Sequence, residues 1–306
     1  MPSGHLSRSS LRAKRSKRPP KTPKKSFLFP TLSFRVFRSK RSRTSPQKKI
    51  RKEAVMPEWI MYVTQPKAMM IAMVALMVIM EISRGYFREL GGYVRNLPLR
   101  RTGVILSVGA AAVLSVIAAD AQILGAVRSI GPDSFPKKVL IDFGGYLGKF
   151  FGLWLILGSL YVFFSLLRCR HQASCFFSAA LSSALSGGLA HGIKHIAQRA
   201  RPYTEEGPFR FFDFHGFSDN ARAYQSFPSG DVAVVAGAAA FLFLYFQDKP
   251  WRWIFMFLPV LTALSRVWNN KHWPSDTLFS LAVGFAAASL VAGYRSYEES
   301  RRNAQS

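Results

Sequence analysis

The chain has 306 residues, 49% of them hydrophobic and 14% aromatic, and a formal charge of +26. Of its 42 Lys and Arg, 18 fall in residues 1–52, which hold no Asp or Glu, leaving 24 basic and 16 acidic residues in 53–306. That split excludes a uniformly basic protein and points to a basic tail joined to an apolar body.

Residues 1–55 are rich in Ser, Pro, Lys and Arg and cannot bury a core, so a disordered basic tail is expected. Within it, Phe27, Phe29, Phe34 and Phe37 interleave with Arg35 and Arg38, a pattern that can touch anionic lipid headgroups. The alternatives are a solvated tail, or sequence upstream of a start at Met56 or Met61. Nucleic acid is not the expected partner, because the body is apolar. No apolar stretch with a small-residue cleavage site follows the basic residues, so no secretory signal is expected.

Residues 56–101 predict an interfacial helical segment. Their apolar run, 68–80, is short against the ~20 residues that a crossing helix needs. Six runs then qualify or nearly do: 102–126, 149–167, 173–193, 230–247, 252–268 and 274–294. The predicted fold class is all-α: an integral membrane six-helix bundle over 102–294, followed by a cytoplasmic tail, 295–306. Asp120 interrupts the first run near its end and is expected close to the interface. The third run is rich in Gly, Ala and Ser, which suits close helix packing in lipid. Cys169 and Cys175 flank one short link and lack the spacing of a zinc site, so two reduced, ordinary cysteines are expected.

Basic residues near span ends set orientation. Arg95, Arg100 and Arg101, then Arg168 and Arg170, then Lys249 and Arg252, then Arg295, Arg301 and Arg302 all fall on one side if six helices cross. That side is expected to be cytoplasmic, with both termini inside and the linkers 127–148, 194–229 and 269–273 outside.

Two of the outward linkers hold most of the unusual chemistry. In KHIAQRARP, Lys194 and Arg201 share a face if the helix continues, and Arg199 is a further cation. Snorkelling anchors would account for such residues, but basic residues outside the membrane are unexpected and anion binding is the favoured reading. In FPSGD, Ser229 and Gly230 open a helix N-terminus whose free amides and dipole attract anions; Ser229 or Asp231 as a plain helix cap is the alternative. In SRVWNNKHWPSD, Arg266 ends one helix and Pro274 suits the first turn of the next. The i, i+4 spacing of His272 and Asp276 lets the carboxylate accept from one ring nitrogen and leaves the other as nucleophile or base.

These segments resemble the three signature motifs of the type 2 phosphatidic acid phosphatase superfamily. Lys194, Arg201 and Pro202 match the first, and Ser265, Arg266, His272 and Asp276 match the third. Pro228, Ser229 and Gly230 match the second, in which Asp231 replaces the family's His. The resemblance covers about residues 100–294 and the family's six-helix membrane branch. It implies that His272 attacks a phosphate and forms a phosphohistidine, with Asp276 orienting it. Lys194, Arg201, Ser229, Gly230 and Arg266 would hold the phosphate oxygens, with no metal and no cofactor.

Asp231 stands where the family places the acid that protonates the leaving oxygen. A helix N-terminus favours its ionised form; burial and a phosphate dianion favour its protonated form. A good leaving group relaxes the demand for an acid, and the anomeric phosphate of a sugar and a pyrophosphate both provide one. The resemblance, with an outward-facing site, implies a membrane lipid phosphatase at the outer face of a bacterial inner membrane. Lipid A phosphate ranks first as substrate, ahead of undecaprenyl pyrophosphate and phosphatidylglycerophosphate. Lipid phosphotransfer and non-catalytic lipid-phosphate binding are the rivals. Residues 203–226 are expected to form the headgroup loop, with Glu205, Glu206, Asp213, His215 and Arg222 as its polar candidates.

Overall fold

Apolar runs of this length fold as helices, because a backbone without water must satisfy its own amides and carbonyls. A computed structural model describes residues 66–129, 135–214 and 219–304, all within one unit of the chain, Val55–Ser306. The basic tail, with its Phe and Arg patch, and His215 lie outside the described residues. The helices are α1 (Pro66–Ser83), α2 (Leu90–Arg95), α3 (Leu99–Val116), α4 (Asp120–Ser129) and α5 (Phe135–Gly148). They continue with α6 (Phe150–Leu166), α7 (Arg170–Ala197), α8 (Gly230–Tyr245), α9 (Ile254–Trp268) and α10 (Pro274–Asn303). No strand occurs among the described residues, so the class is all-α.

The bundle is built around α8, which packs against α7, α9 and α10 and is buried from Val232 to Leu242. Small residues allow the close approach. A Cβ on Gly237 would stand 2.6 Å from the Ser182 carbonyl oxygen, and the hydroxyls of Ser182 and Ser186 donate to Gly237 O at 2.7 Å and Ala233 O at 2.6 Å. Outside this centre, α3 lies on α10, α6 on α7, and α1 on α6. The half-buried α1 turns Met70, Met77 and Glu81 inward and leaves Ile71, Ile79 and Ile82 exposed.

Three elements are long and apolar enough to cross a membrane: Leu99–Ser129, Arg170–Thr204 and Pro274–Asn303. The first joins α3 to α4 through a short 3-10 turn, and only 11% of its apolar window is covered by protein. Exposed Val104, Val108 and Leu114 thus form a face that suits lipid. Lys138–Gly148 and Gly152–Leu166, bent by 69°, make a fourth if taken as one span. The expected fourth and fifth spans fold as α8 and α9, of 16 and 15 residues. At ~1.5 Å per residue they fall short of a ~30 Å hydrocarbon layer. Protein encloses α8, so its length is not set by lipid.

One expectation is corrected. The segment 127–148 is not a bare linker, since it contains α5. Its paired glycines weaken the helical signal but let α5 lie against α9, where a Cβ on Gly144 would strike the Leu261 carbonyl. Asp120 is fully buried.

Candidate active site

The site begins where α7 ends. Ala197 closes the helix and Gln198 takes a left-handed conformation, φ 41° and ψ 53°. Lys194 and Arg201 therefore do not share a helical face, as the uninterrupted spacing had suggested. Arg201 is extended, at φ −77° and ψ 155°, as the residue before a proline prefers. Two limbs of the following loop pair: the Arg201 amide donates to Ala223 O at 2.8 Å and the Ser226 amide to Arg199 O at 3.0 Å. That pairing carries Ser226 to the N-terminus of α10.

There Pro274 occupies the first turn, and the Asp276 carboxylate accepts from the Trp273 amide at 2.8 Å, half of a capping box. The Trp273 indole donates to Ala200 O at 2.9 Å, fastening this turn to the end of α7. His272, 3% exposed, donates from Nδ1 to Ser226 O at 2.8 Å. A carbonyl only accepts, so the proton of the neutral ring sits on Nδ1 and Nε2 keeps its lone pair. Asp276 Oδ2 is 3.6 Å from Nδ1, close enough for charge but beyond a hydrogen bond. The expected direct His272–Asp276 bond is thus replaced by a relay through Ser226, whose hydroxyl donates to Asp276 Oδ2 at 2.5 Å. Burial pushes the His272 pKa below the usual histidine range; Asp276 opposes this, and the cations Lys194 and Arg201 add to it.

Behind Asp276 lies a network that sequence reasoning missed. Arg199 is fully buried and bridges Asp276 Oδ1 at 2.5 Å and Asp120 Oδ2 at 2.7 Å. It also donates to Ser275 Oγ at 2.8 Å and Pro208 O at 2.6 Å, between the rings of Phe211 and Trp273. Asp120 in turn accepts from the Ser275 amide at 2.8 Å. Arg199 is therefore part of the scaffold and not a free cation for an anion. A carboxylate alone in an apolar run needs a buried partner, so Asp120 could have been found by that signal. Ser226 and Ser275 carried none.

The remaining motif residues converge on the same end of the bundle with donors to spare. Ser229 Oγ and Arg201 Nε are buried and have no hydrogen-bond partner among the described residues. Lys194 Nζ lies beside the Gly230 backbone, 3.7 Å from where a Cβ on that glycine would stand. Gly230 and Asp231 form the first turn of α8, whose leading amides are free of intrahelical bonds. Arg266 donates to Gly145 O at 2.9 Å. Its Nε lies 2.9 Å from Asp231 Oδ2 but out of hydrogen-bond alignment, an ion pair on distance alone. The Asp231 side chain is 41% exposed, so this pair is open to water and to competing anions. Of the loop candidates, Glu206 accepts from Tyr224 OH at 2.5 Å and Arg210 pairs with Asp213 at 2.7 Å, contacts made within the loop itself.

Residues 175–300, which contain all three motifs, match the family model described as PAP2 superfamily. A lipid A 1-phosphatase of Rhizobium johnstonii is 31% identical over 215 residues, covering 64% of this chain and 81% of the relative. The chain belongs to the PAP2 superfamily. With the family match and that phosphatase relative together, it is a phosphoric monoester hydrolase acting on a lipid phosphate. A lipid A 1-phosphatase of Rhizobium etli is 35% identical over 95 residues, 30% of this chain and 38% of that one. A crystal structure of a transmembrane PAP2-type phosphatidylglycerolphosphate phosphatase from Bacillus subtilis aligns with a TM-score of 0.45 and 20% identity, over 64% of this chain and 95% of that one. Asp231, the position at which the sequence motifs depart from the resemblance, lies against Arg266.

Proposed function

We propose that this PAP2 phosphatase removes a phosphate from the sugar headgroup of lipid A, at the outer face of the inner membrane, through a phosphohistidine on His272. The observation that carries the mechanism is the pair of buried donors left without partners beside a neutral, oriented imidazole, Ser229 Oγ and Arg201 Nε. Buried donors are normally satisfied, and a phosphate dianion supplies the missing acceptors. The substrate is supported by the lipid A 1-phosphatase whose length the chain covers by four-fifths. Exposed Tyr203, Phe209 and Phe212 on the headgroup loop suit the membrane–water boundary.

In the first step the Nε2 lone pair of His272 forms a bond to phosphorus. The bond from phosphorus to the sugar oxygen breaks, and that oxygen takes the proton of Asp231. Lys194, Arg201, Arg266, Ser229 Oγ and the Gly230 amide hold the other phosphate oxygens. Asp276 stabilises the charge on the ring through Ser226. In the second step water gives its proton to Asp231 and its oxygen to phosphorus, the N–P bond breaks, and phosphate leaves. An arriving phosphate competes for Arg266, and the released Asp231 carboxylate, open to water, takes a proton from solvent and holds it beside the phosphate for the leaving oxygen. Six crossings with both termini in the cytoplasm fit this arrangement, because Arg170, Arg295 and Arg302 gather at one cavity away from His272.

Mass spectrometry of host lipids with and without the gene tests the reading. Lipid A should lose one phosphate only when the gene is present, and His272→Ala should restore the phosphorylated form. Unchanged lipid A beside altered undecaprenyl pyrophosphate or phosphatidylglycerophosphate pools would move the activity to another lipid.

A further inference from the structure

We propose that the end of the bundle remote from His272 holds a second, non-catalytic phosphate site, occupied by an anionic phospholipid of the opposite leaflet. Two cavities of about 380 and 500 Å³ adjoin there and share His171, Arg295 and Glu299. Five arginines line them, Arg84, Arg101, Arg170, Arg295 and Arg302, and no lysine does. Guanidinium forks match phosphate oxygens better than ammonium groups do.

Two of the three lining glutamates already have partners. Glu81 accepts from Arg84 at 2.7 Å and Tyr161 at 2.9 Å, and Glu298 from Arg302 at 2.5 Å. Arg295 is the group left short. It is 9% exposed, yet its hydrogen bonds to Ser174 and Ser178 are both 3.4 Å long. Its ion-pair partner among the described residues, Glu299, is 3.6 Å away with a side chain 61% exposed. The Tyr245 ring faces the guanidinium at 5.4 Å, but a cation–π contact and long hydrogen bonds leave a charge this buried without a close anion. A phosphate at Arg295 supplies it.

The second cavity adds an apolar wall, Phe241, Leu244 and Ala292, along which an acyl chain can lie. An amphiphile with a phosphate head fits both halves. Along α10, at ~1.5 Å per residue, Arg295 stands about 29 Å from Asp276, close to a full hydrocarbon thickness of ~30 Å. The site therefore meets the leaflet opposite the one that supplies substrate to His272. The cytoplasmic leaflet is the anionic one, and basic pockets between helices at that level bind acidic headgroups.

The test uses the purified full-length protein in detergent, with phosphatidylglycerol, phosphatidylcholine or inorganic phosphate added. Native mass spectrometry and thermal unfolding are the readouts. Phosphatidylglycerol should stay bound and raise the unfolding midpoint by about 5 °C, and phosphatidylcholine should do neither. Arg295→Gln should weaken retention about tenfold, removing the central charge–phosphate contact. If that variant fails to fold, Arg170→Gln decides. Its side chain is exposed in the first turn of α7, where a cation is not stabilising. It should fold, keep the phosphatase kcat, and retain phosphatidylglycerol about threefold less well. Equal retention by Arg170→Gln and wild type, or equal retention of the two lipids, would overturn the proposal. Displacement of the lipid by millimolar inorganic phosphate with the same stabilisation would also overturn it, leaving only a free-anion site.

Discussion

On the Nδ1 side of His272, Arg199 is closed in by two carboxylates, a hydroxyl and a carbonyl. Two residues along the loop, Arg201 has a buried Nε without a partner and one long hydrogen bond, 3.5 Å, to Gln225 O. The first arginine is consumed by the scaffold, and the second keeps a donor that the proposed function gives to the phosphate. The contrast extends to their neighbours. Asp276, Ser275 and Asp120 bond to one another through Arg199, whereas Ser229 has a donor to spare. A saturated network fixes the imidazole, and in the proposed mechanism the unsaturated cradle is what receives the phosphate. Loss of a partner should therefore be felt as lost stability in the first and lost turnover in the second.

The largest effect should come from the residue between the two layers. His272→Ala should lower phosphate release on the order of 10⁴-fold or more, while phosphate binding to the cradle survives. Isothermal titration with inorganic phosphate, run beside the activity assay, checks both halves. Activity near wild type would remove His272 from the chemistry.

The same substitution at the two arginines sharpens the contrast. Arg199→Gln strands Asp120 and Asp276 in a dry interior and should cost about 3–5 kcal/mol of stability. Arg201→Gln should leave the unfolding midpoint nearly unchanged and lower kcat/KM about 10²-fold, the scale of losing one anion-hole donor. Unfolding in detergent and steady-state kinetics on both variants separate the cases. Matching profiles would show that the division between scaffold and cradle is wrong.

Asp231→Asn probes the open edge of the cradle. The Arg266–Asp231 pair is partly exposed, so its loss should cost less than about 1 kcal/mol. Turnover should fall severely for an alkyl phosphate and mildly for an activated aryl phosphate that departs unaided. Equal, small losses with both would leave Asp231 as a tether for Arg266 and nothing more.

The smallest effect concerns pH. Burial lowers the His272 pKa, so its neutral, nucleophilic form persists to more acid solution than for an ordinary histidine. The rising limb of kcat/KM against pH should therefore lie below ~6.5. Because Asp276 works against the lowering, Asp276→Asn should move that limb further toward acid. A limb displaced to higher pH would contradict the environment described for His272.

Hydropathy alone located the helices whose apolar residues run without interruption, and α3, α7 and α10 lie where those runs do. It missed α5, because Gly144 and Gly145 serve a close approach to α9 that no local pattern announces. The motif spacing singled out Lys194, Ser229, Arg266, His272 and Asp276 as candidates, and the fold brings them to one end of the bundle. The spacing misled on Lys194 and Arg201 as one helical face, since the left-handed Gln198 breaks the helix between them. It was silent on Ser226, whose part depends on where a long loop returns. Asp120 was visible as an oddity, but its partner lies on another helix end, and only the fold joins them.

In the proposed mechanism His272 attacks through Nε2 because Ser226 O holds Nδ1. Rapid quenching in alkali with ³²P-labelled lipid substrate, followed by peptide mapping and NMR of the phosphopeptide, tests it directly. The account predicts phosphate on His272, at Nε2. Phosphate on Nδ1, or hydrolysis with no phosphohistidine under single-turnover conditions, would contradict it.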